Sequence, residues 1–187
     1  MAVEEPLEIR LHGEPFQVLM RLPGWEKDLA LGFLYTEGIV RHLSEVITIH
    51  LCGTTADPLL PPNVVDVQLT DAALERRGRR HLEMAYSSCG LCAKETVSEI
   101  CLETAPVASA LTVAASVLLD LMRRMEQQQT VFRGTGGVHG VALAHPDGAF
   151  FLMAEDVGRH NAMDKVIGRE RPGCINLRPF PGRWLPR

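Results

Sequence analysis

From Thr112 to Gln129 the apolar side chains return with the period of a helix, and this pattern most limits what the chain can become. Val113, Val117, Leu118, Leu121, Met122 and Met125 share one face, while Arg123, Arg124 and Glu126 take the other. A stripe of that length needs an apolar surface to rest on. Strand-like runs can supply one. Leu7, Ile9 and Leu11 alternate, and after the turn residues Gly13-Glu14-Pro15 so do Phe16, Val18 and Met20. Residues 45–51 and 63–70 read as two more strands, and 138–144 and 149–154 as another two, joined at Pro146-Asp147-Gly148. A helix with Leu29, Leu31, Phe33 and Leu34 on its buried stripe stops at Gly38. A short helix spans 71–78 with Leu74 as its main apolar contact, and a last one opens at Glu155 and runs through Ile167. The expected class is therefore mixed α/β (α+β).

The chain has 187 residues, 46% of them hydrophobic, which suits one domain or a domain with a small lobe. Its net charge of −4 lacks the dense basic face that nucleic acid or an anionic membrane would demand. No apolar run approaches the roughly 20 residues of a membrane span. The start, Met1-Ala2-Val3-Glu4-Glu5, is acidic where a secretory signal would be basic and apolar, so a cytoplasmic location is expected.

Five cysteines, at 52, 89, 92, 101 and 174, are too few and too unevenly spaced for a disulfide framework. Two of them form the CxxC of Ser87-Ser88-Cys89-Gly90-Leu91-Cys92-Ala93-Lys94. That spacing serves a disulfide, a shared metal, or the passage of a sulfur atom from one thiol to the other. A free thiol near pKa ~8.5 is mostly protonated at neutral pH, and a nearby cation such as Lys94 favours the thiolate. An incidental pair of loop cysteines is the plain alternative. A zinc site wants four ligands, and the nearest further candidates, His81 and Cys101, fit no familiar spacing. Thioredoxin-like exchange wants a core strand before the pair, and Arg79–Met84 is too polar for one.

Two further motifs point to a ligand. In Arg133-Gly134-Thr135-Gly136-Gly137-Val138-His139-Gly140, successive glycine amides can approach an anion, with His139 close by. A tight turn before a buried strand explains the same residues. The stretch 155–165, EDVGRHNAMDK, follows an apolar strand, at the strand-to-helix junction where α/β proteins place ligands. Asp156 offers an acceptor, and Arg159 and His160 offer cationic or polar contacts. Asn161 and Lys165 lie one turn apart on the same helix face. A well-capped, exposed helix start accounts for these residues equally well.

Across residues 4–168 the chain strongly resembles the FdhD family, the sulfur carriers required to make active formate dehydrogenase. The segments that carry the likeness are EEPLEIRL, LPGWEKDLALGFLYTEGIV at 22–40, SSCGLCAK at 87–94, TGGVHGVAL at 135–143 and EDVGRHNAMDKVIG at 155–168. The resemblance implies that a cysteine desulfurase passes sulfur to Cys89, with Cys92 as relay or resolving partner. The sulfur then goes to the molybdenum of a bis(molybdopterin guanine dinucleotide) cofactor destined for formate dehydrogenase. By the same analogy Gly136, Gly137, His139, Asp156, Arg159, His160, Asn161 and Lys165 face the cofactor, the chain forms a homodimer, and no metal is intrinsic to it. The implied fold is a cytidine-deaminase-like three-layer core with an added β-rich N-terminal lobe. The alternative functions are a cofactor-binding chaperone without sulfur transfer, or a nonfunctional truncated fragment.

These expectations divide the chain into an N-terminal lobe with one main helix (1–80), a CxxC loop (81–106), a partial core (107–168) and a tail (169–187). The tail carries five Arg, one Glu and four of the 12 prolines, against a net charge of −8 for the residues before it. It reads as disordered or out of frame, with the C-terminal part of the core missing.

Overall fold

The computed structural model describes residues 1–52, 63–77 and 111–170. Along them run β1 (Glu5–Leu11), β2 (Glu14–Arg21), α1 (Glu26–Thr36), a 3-10 turn (Leu43–Glu45), β3 (Val46–Cys52), β4 (Val64–Leu69) and α2 (Asp71–Arg77). After these come α3 (Ala115–Gln128), α4 (Thr130–Thr135), β5 (His139–Ala144), β6 (Phe150–Asp156) and α5 (Arg159–Glu170). The mixed α/β class expected from the sequence is the class observed. None of these helices is long and apolar enough to cross a membrane.

The first four strands form one sheet in the order β2-β1-β4-β3. Strand β1 runs antiparallel to β2 and parallel to β4, and β3 runs antiparallel to β4. The β1–β2 turn begins one residue earlier and ends two residues earlier than the sequence suggests. Leu11 pairs with Glu14, so His12 and Gly13 alone make the loop. Their φ values of 55° and 83° are the left-handed pair that a two-residue hairpin requires. His12 is an unusual residue there, and the neighbouring strand holds it. The Leu69 amide donates to His12 Nε2 at 3.0 Å, and the Gly13 amide donates to Asp66 Oδ1 at 2.7 Å.

One face of this sheet carries the core. Leu7, Ile9 and Leu11 of β1 and Val65, Val67 and Leu69 of β4 are buried against Leu29, Ala30 and Leu34 of α1. Each such aliphatic side chain contributes roughly 1.5–3 kcal/mol relative to exposure. Helix α1 ends where Gly38 takes φ 69°, and the Ile39 and Val40 amides both donate to the Leu34 carbonyl. In α2 the buried side chain is Ala73; Leu74, expected to lead, is only half-buried.

The other side of α1 meets α5. A Cβ on Gly32 would overlap the carbonyl of Asp164, and one on Gly168 would overlap the carbonyl of Asp28 and lie 2.7 Å from the Gly32 nitrogen. The two helices therefore touch backbone to backbone. Helix α5 also outruns its expected end at Ile167 and takes in the first two residues read as tail. Arg169 secures this turn, its guanidinium lying 4.2 Å above the Trp25 ring and its Nη1 2.9 Å from Asp28 Oδ2.

Strands β5 and β6 form a separate antiparallel pair. Helix α3 meets their turn, where Arg124 donates to the Gly148 carbonyl and pairs with Asp120 at 2.9 Å. No residue of α3 is buried; Leu119 is 60% and Met122 66% exposed. Two strands make a sheet only roughly 10 Å wide, too narrow to cover that stripe. The amphipathic helix read from the sequence is present; among the described residues Val117, Leu121 and Met125 of its apolar face are half-buried, while Leu118 and Met122 are exposed.

Candidate functional site

The end of the hairpin where β5 begins and β6 finishes gathers most of the residues singled out from the sequence. His139 pairs directly with Asp156 across the strands, and α5 begins three residues later at Arg159. Strand β6 runs two residues further than the sequence suggests, so Glu155 and Asp156 sit on the strand and α5 opens after Val157-Gly158. The alternation that puts Ala154 inside also puts Asp156 inside.

The structure splits these residues into two groups. Asp156 and Lys165 are buried and form an ion pair at 2.7 Å. Asp156 Oδ1 accepts from the Gly158 amide and from Asn161 Nδ2, both at 3.1 Å, and its Oδ2 accepts from the Leu22 amide at 3.1 Å. Asn161 Nδ2 also donates to the Met20 carbonyl at 2.7 Å, and Lys165 Nζ to the Leu22 carbonyl at 2.8 Å. Sequence correctly puts Asn161 and Lys165 on one face of α5. That face clasps the β2–α1 connection. Both Asp156 oxygens, Lys165 Nζ and Asn161 Nδ2 are thus engaged with protein.

Gly136, Gly137, His139, Arg159 and His160 are exposed. The glycine turn is shorter than expected, because residues 130–135 are helical and Gly136 is the left-handed cap of α4, with φ 67°. Its amide donates to the Phe132 carbonyl at 2.6 Å, and the Gly137 amide to Thr135 Oγ1 at 3.2 Å. Both amides are thus committed locally, and the expected pair of free amides for an anion is not present. His139, Arg159 and His160 remain as the side chains able to face an anionic group such as a phosphate.

Several contributors escape sequence reading. Glu155 accepts from the amides of Val131 at 3.0 Å and Phe132 at 2.8 Å, so it stands at the start of α4 and fixes the helix that ends in the glycine turn. Glu155→Ala should lower the hydrogen-exchange protection of those two amides by about tenfold, or ~1.4 kcal/mol, measured by NMR. Arg21 is fully buried beside Glu5 at 3.3 Å and Glu26 at 3.4 Å, next to the Leu22 that α5 clasps. Nothing in the alternation of β2 marks an arginine as an inward residue. Cys89 and Cys92 lie outside the described residues. Among the described residues no group of three or more His, Cys, Asp or Glu side chains is placed to hold a metal.

Residues 2–173 match the model of the FdhD/NarQ family. A relative from Mycobacterium tuberculosis named sulfur carrier protein FdhD is 41% identical over 181 residues, covering 90% of this chain and 63% of its own length. One of the same name from Anaeromyxobacter dehalogenans is 39% identical over 188 residues, covering 97% of this chain and 65% of its own. A crystal structure from Desulfotalea psychrophila, described as that of a formate dehydrogenase accessory protein, superposes with a TM-score of 0.66 at 24% identity. The match covers 92% of this chain and 61% of that one, and at that identity the likeness is one of fold. The chain spans less than two thirds of the length of these relatives.

Proposed function

Because the chain belongs to the FdhD/NarQ family, we propose that it carries sulfur as a persulfide on Cys89 and hands it to a molybdenum cofactor bound for formate dehydrogenase. The observation that carries this reading is the CxxC at 89–92 in a chain about 40% identical to proteins named sulfur carriers. In the first step the Cys89 thiolate attacks the outer sulfur of a cysteine desulfurase persulfide. A new S–S bond forms at Cys89 and the desulfurase thiolate leaves. In the second, the Cys92 thiolate attacks Cys89 Sγ, which releases hydrosulfide to the metal and leaves a Cys89–Cys92 disulfide for a thiol reductant to reopen.

The cargo is the bis(molybdopterin guanine dinucleotide) complex. Its phosphates suit the exposed Arg159, His160 and His139, and the space around Gly136 is open. Asp156, Asn161 and Lys165 hold this end of the fold in position and enter the cofactor site through it. We read the β5–β6 hairpin and its helices as part of a cytidine-deaminase-like core, working as a homodimer in the cytoplasm. The N-terminal sheet and α1 belong to the lobe at 1–80.

Mass spectrometry tests the sulfur step. After incubation with a cysteine desulfurase and cysteine, the peptide holding Cys89 and Cys92 should gain about 32 Da, the mass of one sulfur atom. The gain should vanish in Cys89→Ser. No gain beside a desulfurase shown to be active would remove the proposal and favour a chaperone that binds the cofactor without moving sulfur.

A further inference from the structure

We propose that Asp164 is held as a neutral carboxylic acid whose O–H donates a hydrogen bond to the Thr36 hydroxyl, so that the packing of α1 on α5 weakens when this proton is lost. Asp164 lies at this crossing, its backbone against Gly32, and its side chain is buried. Thr36 Oγ1 lies 3.1 Å from the Phe33 carbonyl and 2.9 Å from Asp164 Oδ1. A hydroxyl has one proton to donate. If that proton goes to Phe33, whose carbonyl can only accept, the contact with Asp164 needs a proton on the carboxyl group.

The surroundings select this arrangement. The charge of Glu37, just past the end of α1, opposes a further negative charge at Asp164, and that of Asp156 on β6 does so to the extent that Lys165 leaves it unbalanced. The next cation along α5, Lys165, is taken up by Asp156 and the Leu22 carbonyl. On β5 the titratable side chain is His139, exposed at the strand position directly opposite Asp156, and on α5 His160, one turn before Asp164, is exposed as well. Burial, reinforced by those two acidic neighbours, raises the Asp164 pKa from 3.8 to about 7, even with the Thr36 hydroxyl taken as a donor to the carboxylate, which works the other way.

Ionisation would send the proton to solvent and turn the Thr36 hydroxyl away from Phe33 toward the carboxylate. A buried charge would then sit between two helices in backbone contact, held by one hydrogen bond. The unfolded chain loses this proton near pH 3.8 and the folded chain near 7, so the folded form binds the extra proton across that window. Stability from this group therefore falls as pH rises through the window and levels off above it. The proton is independent of sulfur transfer, so its test stands apart from that of the proposed function.

The Asp164 Cγ resonance of the whole chain, labelled with 13C-aspartate, should titrate with a midpoint near 7. A midpoint in the ordinary carboxylate range would overturn the proposal. The second measurement is urea unfolding between pH 4 and 8, a range that about spans the two protonation states. Asp164→Asn should remove the decline that the parent shows, and the difference between the two cancels the histidines. Parallel declines in parent and variant would also overturn it.

Discussion

Replacing Lys165 with methionine should cost about 3–5 kcal/mol of folding stability, among the largest losses open to a single side chain here. Methionine keeps the length and apolar stem of lysine, so packing is nearly preserved. What disappears is the ammonium that meets Asp156 at 2.7 Å and the Leu22 carbonyl at 2.8 Å. Asp156 is fully buried and would keep only its bonds from Leu22, Gly158 and Asn161. Adding Asp156→Asn to Lys165→Met removes the orphaned charge and should recover part of the loss. The recovery separates charge from packing. Urea unfolding of the parent, the single variant and the double variant is the measurement. A loss below about 1 kcal/mol for the single variant would mean that water reaches this pair.

The second large effect is expected from one added methyl group. Gly168→Ala should destabilise the protein by at least ~4 kcal/mol, a substantial share of the roughly 5–15 kcal/mol that holds a domain of this size. In an isolated helix the same change would stabilise by about 1 kcal/mol, since alanine is the better helix former. Here the methyl meets the carbonyl of Asp28 and the nitrogen of Gly32, backbone atoms that cannot swing aside. Arg169→Ala, one residue on, is the control. It removes a half-exposed ion pair and a cation–π contact and should cost no more than about 1 kcal/mol. Thermal unfolding of both variants tests the contrast. A Gly168→Ala protein that melts at or above the parent's temperature would mean that α1 and α5 stand apart in solution.

Much of the fold is legible in the residues themselves. Leu7, Ile9 and Leu11 alternate because one face of β1 is core and the other is not, and Gly38 ends α1 because a left-handed residue is needed there. The failures have physical causes. The periodic run ends at Gln129, whose backbone belongs to neither helix, and the six residues of α4 beyond it are too few for a period to show. Gly32 and Gly168 look like weak points of two helices, and only their partners' backbones reveal the crossing. The spacing of four in Gly32/Thr36 and in Asp164/Gly168 was the available signal, one small residue and one hydroxyl or carboxyl per turn on each helix.

At the candidate site, composition singled out a segment but could not assign jobs within it. Asp156, Asn161 and Lys165 have the donors and acceptors of a ligand site, and those groups reach the carbonyls and amide of Met20 and Leu22 instead. Which polar groups are consumed internally depends on residues more than 130 positions away, as the separation of 134 between Leu22 and Asp156 shows. The glycine turn fails for a local reason. Its amides find the Phe132 carbonyl and the Thr135 hydroxyl within a few residues, a pairing that periodicity does not register.

The clasp between β6–α5 and the β2–α1 connection also sets an order of events at the ribosome. Its bonds join residues 134 to 143 positions apart, so the hairpin of β1 and β2 is synthesised long before the groups that fasten its far end. Such distant contacts close late and slowly. Until Lys165 has left the exit tunnel, the carbonyl of Leu22 waits for its partner, and the β2–α1 connection is fastened only after translation has passed that codon.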